Sequence, residues 1–407
     1  MKAYERLLRY ATFPTVSDEN CETCPSTPAQ LDFGRVLVEE LLSLGVTDAR
    51  MDEHGYVYGT VEGNIPGWQG EVIGLIAHMD VSDAVPCAPS RPRVVHFDGA
   101  PVTLENGDML SAEQYPTLKN YIGCDLVVTD GNTLLGADDK AGIAEIMTAV
   151  EYFYTHPDVP HATFKVAFTP DEEIGRGADL FDVAGFGADF AYTLDGAAFG
   201  EVEYETFNAA AAVVRVKGKS IHPGEAKGQM INAGEVIAAF DGLLPANERA
   251  QTTAGYEGFY HLLGINASIE AAESCYILRD HDADKLEARK ATVLAAVALL
   301  NARYGEGTVT VDITDQYRNM AEAVLPHAHI LEAARKAVRA AGGEPVSNPV
   351  RGGTDGSRLS FMGLPCPNLG TGSHNHHGRF EYACVQAMDA CAEMAIQLVK
   401  LFSEGGK

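Results

Sequence analysis

Three short stretches in the first half of the chain are apolar with little polar alternation: residues 71–80 (EVIGLIAHMD), 163–173 (TFKVAFTPDEE) and 190–196 (FAYTLDG). Runs of this length predict buried strands, as in a parallel or mixed sheet covered by helices. Residues 134–153 (LLGADDKAGIAEIMTAVEYF) open in a glycine turn and continue with apolar residues at helical spacing. The first residues, MKAYERLLRYATF, interleave charges with apolar positions, which predicts an amphipathic helix rather than a signal peptide. Strand and helix patterns alternate through this half, as in a layered α/β domain.

From about residue 208 the texture changes. Residues 208–220 read as a strand, 230–244 as a helix and 273–282 as a strand; 282–305 read as a long helix and 308–315 as a closing strand. This β-α-β-α-β set predicts a small α+β sandwich inserted into the larger domain. Helical and glycine-loop patterns then return and end in the helical run 384–402. The expected architecture is α/β: a mixed-sheet catalytic domain from residues 1–207 and 320–407, interrupted by a smaller α+β domain at 208–319.

Composition narrows the partners. The 407 residues are 46% hydrophobic and 21% charged, the proportions of a globular protein able to bury a large core. A net charge of −27 repels phosphate backbones and anionic bilayers, so neither nucleic acid nor a membrane is an expected partner. No apolar run is long enough to span a bilayer. Eight cysteines, at 21, 24, 87, 124, 275, 366, 384 and 391, are scattered, which fits a reducing cytoplasm better than a disulfide framework. Cys21 and Cys24 form a lone CxxC in a polar stretch and are expected to be two free thiols rather than a zinc or redox pair.

Candidate chemistry gathers where the strands end. His78 and Asp80 are two residues apart and would share one face of a strand. A neutral imidazole ligates zinc and usually donates its other N–H to a carboxylate, a role open to Asp80; a local hydrogen bond at a strand end is the plainer account. Asp138 and Asp139 open the predicted helix. One aspartate is enough to cap it, and the repulsion between two is offset by a bridging dication. Asp171, Glu172 and Glu173 are three successive carboxylates, costly without a cation unless the turn is solvated. If the site is functional, one glutamate binds metal and the other carries a proton. Asp195 ends the third strand, and His374, His376 and His377 crowd one glycine-flanked loop. This mixture of imidazole and carboxylate suits zinc, and its carboxylate share suits a pair of dications.

On these residues, and on the longer segments TLLGADDKAGIAEIMTA, VAFTPDEEIGRGA, GYEGFYHL, ILRDHD, RGGTDG and FMGLPCPNL, the chain resembles the tripeptide aminopeptidases of the co-catalytic dizinc metallopeptidase family over nearly its whole length. The resemblance implies two Zn2+ per subunit. His78, Asp138 and Asp195 would hold one ion; Asp138, Glu173 and His377 would hold the other, with Asp138 as the bridge and a cis peptide after it. It implies that Asp80 accompanies His78 and that Glu172 is the general acid/base when the N-terminal residue of a small peptide is released. The inserted domain corresponds to a lid and dimerisation domain, so a homodimer is expected. Within that domain His222 would contact substrate from its own or the opposite subunit. Arg279 and Arg351 would line the cleft, and Asn232 would add a polar contact. The chain departs from the family pattern at Ser17 to Thr27, at Ala84 to Glu105, and in SHNHHGRF, where tyrosines are more usual before the ligand. His377 is kept as the ligand because it directly precedes Gly378. The same metal site would serve a dipeptidase, a carboxypeptidase or an N-acyl amino acid deacylase. A catalytically silent binding protein is the alternative from another class, and the intact Glu172 argues against it.

Overall fold

The three apolar runs form the middle of one seven-stranded mixed sheet. Its order is Arg50–Met51, Val57–Val61, Phe164–Thr169, Ile73–His78, Phe190–Gly196, Asn368–Gly370 and Val202–Glu203. The four strands from Phe164–Thr169 to Asn368–Gly370 run parallel, and the flanking pairs are antiparallel. Every residue of Ile73–His78 is buried, as its unbroken pattern requires. Leu75, Ala77, Val166 and Phe168 face one apolar cluster, and Ile76 and Ala167 face another. The two-residue period of a strand thus sends alternate side chains into two cores, and both faces must be apolar.

Helices Ala3–Tyr10, Pro28–Leu44, Ala137–Thr155, Ala328–Ala340 and Val385–Glu404 contribute to the first core. Thirteen of the nineteen residues of Ala137–Thr155 are buried, so this helix carries almost no polar face. Phe181, Phe186 and Leu359 fill the second core from the turns and short helices on the opposite side. The chain belongs to the α/β class with a mixed sheet, as expected.

A second sheet was not foreseen from the pattern. Arg93–Phe97, Cys124–Val128, Tyr382–Cys384 and Ser373–His374 form a four-stranded antiparallel sheet with its own cluster around Phe97, Leu126 and Tyr382. Two of its strands are only two and three residues long, too short to show a period. Those two strands hold the ends of the histidine loop.

The structure, a computed structural model, describes residues 1–404. The contacts divide the chain into Met1–Tyr204, Met320–Asn348 and Thr354–Lys407 as one unit, and Glu205–Asn319 with Pro349–Gly353 as another. The second unit is a four-stranded antiparallel sheet, ordered Phe259–Ala267, Ala271–Asp280, Asn208–Lys217 and Val309–Tyr317, with helices Ala233–Leu243 and Ala283–Tyr304. Ala210, Ala212, Val214 and Val216 alternate into its core with Val236, Phe240, Val293 and Leu300 from the helices. All eight cysteines are free, and no helix among the described residues is long and apolar enough to cross a membrane.

Candidate metal centre

Parallel pairing brings the first donors together. Ile73 is registered with Phe190 and Ile76 with Thr193; continuing that register sets His78 level with Asp195. On the other side His78 is registered with Thr169, three residues before Glu172. Three strand ends therefore deliver a histidine and three acids to one place without any long-range loop.

The helix start is pinned to the same place. A Cβ on Gly142 would lie 1.9 Å from the carbonyl oxygen of Leu194, so only glycine lets this helix approach the Asp195 strand. Asp138 and Asp139 have non-helical dihedrals ahead of the regular turns, and the peptide between them is cis. Asp139 caps the helix by accepting from the Gly142 N–H, and it also accepts from the His78 N–H. The second acid is thus committed to holding helix and strand together, and Asp138 is left to face the site.

The His78 Nδ1 lies 3.1 Å from the Asp80 carbonyl oxygen and 3.4 Å from its carboxylate Oδ1. Both are acceptors, so Nδ1 donates to them and Nε2 is the nitrogen left to face the site. It points at the Asp138 Oδ1, 3.0 Å away, and the Asp195 Oδ1, 3.4 Å away, with the Glu172 Oε2 at 4.0 Å. The other Asp138 oxygen, Oδ2, lies 3.1 Å from the His377 Nε2, which is 2.9 Å from the Glu173 Oε2. Each oxygen of one carboxylate therefore faces a different histidine, and each histidine faces a further acid. His78, Glu172 and Asp195, and His78, Asp138 and Glu173, form two groups whose ligand atoms lie within 4.8 Å of one another.

So many buried carboxylates in one place perturb one another. Desolvation holds the Glu172 carboxyl well above its usual range, with Asp195 adding to the effect, and holds that of Asp195 above its range. Burial pushes Glu173 up to about 7, opposed by its hydrogen bond from His377. The His377 imidazole, bonded to Asp138 and Glu173, is pushed up to about 11. Buried His78 is held well above its ordinary value by the neighbouring carboxylates, against desolvation. The carboxyl of Asp138 lies well below its range, despite burial, because His376, His377 and His78 surround it. Protons thus occupy the cluster where dications would otherwise sit. The Glu173 Oε1 is buried with no hydrogen-bond partner, a costly state for a carboxylate oxygen that a cation would relieve.

Around these donors stand groups the sequence reading named, Asp80 and Asp171, and others it missed, Glu381 and Asp355. Asp80 Oδ1 and Oδ2 accept from the backbone N–H groups of Glu172 and Glu173, so the acid that aligns His78 also holds both glutamates. Buried Glu381 accepts from the N–H groups of Gly136 and Asp138 and fixes the turn that presents Asp138. Its only sequence signal is an acid three residues after Gly378. Asp171, at a φ of 59°, points away from the centre and is bound by the N–H and hydroxyl of Ser26 and by Gln30. The cysteine-bearing segment that departs from the family pattern therefore ends by anchoring the glutamate loop. Asp355, buried and accepting from the Thr169 hydroxyl, is pushed up to about 7 by burial.

The remaining expected residues belong to the second unit. His222 is exposed, and its Nδ1 accepts from the Gly224 N–H. Asn232 caps helix Ala233–Leu243 by accepting from the Gly234 N–H. Arg279 donates to the carbonyls of Ala210 and Leu278 and lies over the Tyr317 ring. Arg351 donates to the carbonyls of Gly255 and Glu257 and to the Thr253 hydroxyl, with its guanidinium over Phe207 and Phe259.

Residues 127–401 match the model of peptidase family M20/M25/M40. The chain is 49% identical over 409 residues to peptidase T of Alkaliphilus oremlandii, covering 98% of this chain and 99% of that one. It is 51% identical over 407 residues to peptidase T of Desulfitobacterium hafniense, covering 98% of each. Among solved structures it is similar to the aminopeptidase PepT of Bacillus cereus, with a TM-score of 0.77, 21% identity and 98% of each chain covered.

Proposed function

Because the chain belongs to peptidase family M20/M25/M40, we propose that it is a two-metal aminopeptidase that releases the N-terminal residue of tripeptides. The observation that carries this reading is the two-sided Asp138 carboxylate, with His78 on one oxygen and His377 on the other. His78, Asp138 and Asp195 would hold one dication and Asp138, Glu173 and His377 the second. The imidazole and carboxylate donors suit zinc. When bound, the ions supply Lewis acidity and lower the pKa of water.

The protein's own groups do the rest. Glu172 is held at the site by its backbone bond to Asp80, and its carboxylate is the acid of the cluster assigned to no ion. It accepts the proton of the attacking water and returns it to the departing amine. Asp80 keeps the His78 Nδ1 protonated, so that its Nε2 remains a donor of electrons. His222, Asn232, Arg279 and Arg351 are the proposed substrate contacts: the arginines pair with the peptide carboxylate, and His222 stabilises the oxyanion. The protein is proposed to work as a homodimer in the cytoplasm.

The test is release of the N-terminal residue from a free tripeptide, its dipeptide, its tetrapeptide and its N-acetylated form, each with zinc and after chelation. Chelator-sensitive cleavage of the free tripeptide alone is expected. Cleavage of the acetylated form would replace this reading with a deacylase.

A further inference from the structure

The two-ion arrangement uses one of the three imidazoles of the histidine loop; of the other two, His374 Nε2 is 2.6 Å from the Tyr121 hydroxyl, and His376 is turned toward the centre. His376 Nδ1 lies 3.6 Å from Asp138 Oδ2, the same oxygen that faces His377. That is too long for a hydrogen bond. Consecutive residues of an extended chain point to opposite sides; here both imidazoles approach one carboxylate oxygen because Asn375 and His377, on either side of His376, have φ of 59° and 60°. Asparagine tolerates this left-handed backbone, which histidine adopts only uncommonly and with some strain. The loop therefore bears a cost to keep two rings on one side.

The other nitrogen of His376 is committed. Thr371 Oγ1 contacts the Gly196 carbonyl at 2.8 Å, Ser373 Oγ contacts Thr371 Oγ1 at 2.8 Å, and His376 Nε2 contacts Ser373 Oγ at 2.8 Å. The carbonyl can only accept. All three contacts are satisfied only if Thr371 donates to Gly196, Ser373 donates to Thr371 and the His376 Nε2–H donates to Ser373. Nδ1 is then the His376 nitrogen that the protein leaves unheld, 3.6 Å from the Asp138 Oδ2. This is the arrangement of His78 repeated: one nitrogen held as a donor by the protein, the other left as a ligand. Two ligands each about 2.1 Å from a tetrahedral ion stand roughly 3.4 Å apart, close to the separation of Nδ1 and Oδ2.

We infer that His376 is a further metal ligand, supplying Nδ1 to the ion held by Asp138, Glu173 and His377. The inference rests on the two-metal reading above. A second imidazole biases that position toward zinc or cobalt over manganese, which prefers oxygen donors.

The test uses metal-free full-length protein titrated with Co2+ and Zn2+ against a chromophoric chelator, with the Co2+ visible absorption recorded at each equivalent. His376→Phe and His376→Ala are compared with the unaltered chain, one filling the volume and the other emptying it, so that loop collapse in either is separated from ligand loss. Both variants are expected to bind one ion normally, to bind the second at least tenfold more weakly, and to shift the Co2+ spectrum of the second equivalent; their Mn2+ affinity should change less. An unaltered chain that takes up two ions, with variants identical to it in affinity and spectrum, overturns the inference and leaves the two-metal reading in place. An unaltered chain that takes up no pair of ions overturns both.

Discussion

His78 and Asp195 stand at the ends of adjacent parallel strands, whereas Glu173 lies on the one-turn 3-10 helix Glu172–Ile174 and His377 on a loop. The difference shows in the two histidines: the His78 side chain is 2% accessible and that of His377 is 47%, while the acids of both halves, Asp195 and Glu173, are largely buried. The strand-borne half is positioned by the sheet ladder and has little freedom to relax. The loop-borne half is positioned by side-chain hydrogen bonds, chiefly Asp80 to the glutamates and the Ser373–Thr371 chain beneath the histidines. Asp138 belongs to both, and its position is set by Glu381, which accepts from the turn on either side of Ala137. Such a site is expected to bind its two ions unequally, the strand-borne position first.

The largest effect should come from the group assigned to neither half. Glu172→Ala is expected to lower turnover by on the order of 10²–10⁴ or more while both ions remain bound; turnover near the unaltered level would remove Glu172 from the chemistry. Next, His78→Ala should lose the tighter, strand-borne ion, of which His78 is a ligand, whereas His377→Ala should lose only the weaker one. Equal losses, read by metal content after dialysis, would erase the distinction between strand-borne and loop-borne halves. A smaller change is expected for Glu381→Gln, which weakens the hold on the Asp138 turn: metal affinity should fall roughly 10–100-fold, with both positions affected because Asp138 serves both.

The fourth prediction concerns pH. In the metal-free fold Glu173 and Asp355 keep their protons to about 7, above their ordinary values of 4.5 and 3.8, so the folded state binds more protons than the unfolded chain across that window. Stability of the metal-free protein should therefore fall as pH rises toward 7. His377, raised to about 11, extends the fall above its ordinary 6.5, because its stabilising charge is lost as pH rises through the folded value. Metal binding displaces these protons, so the loaded protein should gain stability over the same range. Thermal melts of both forms at several pH values check this; parallel curves would mean that the cluster does not couple to the metal.

Much of the fold's centre was legible. The runs 71–80, 163–173 and 190–196 read as buried strands, and Ile73–His78, Phe164–Thr169 and Phe190–Gly196 are buried strands, because two-sided burial leaves an unbroken apolar signature. The strands Val57–Val61 and Phe259–Ala267, the helix Pro28–Leu44 and the whole four-stranded sheet around Tyr382 were not read. Their segments are short, interrupted by glycine or proline, or half exposed, and local period alone does not separate them from loop.

The sequence by itself determined which residue types lie at strand ends and that Asp138 and Asp139 share one turn, because these follow from adjacency along the chain. Only the tertiary structure decided which acid of each pair faces the centre: Asp139 is turned to the Gly142 and His78 N–H groups and Asp171 to Ser26 and Gln30, leaving Asp138, Glu172 and Glu173 together. Adjacent residues of one type are equivalent in sequence. They differ in the fold because hydrogen-bond donors distant along the chain claim one carboxylate and leave its neighbour to the site.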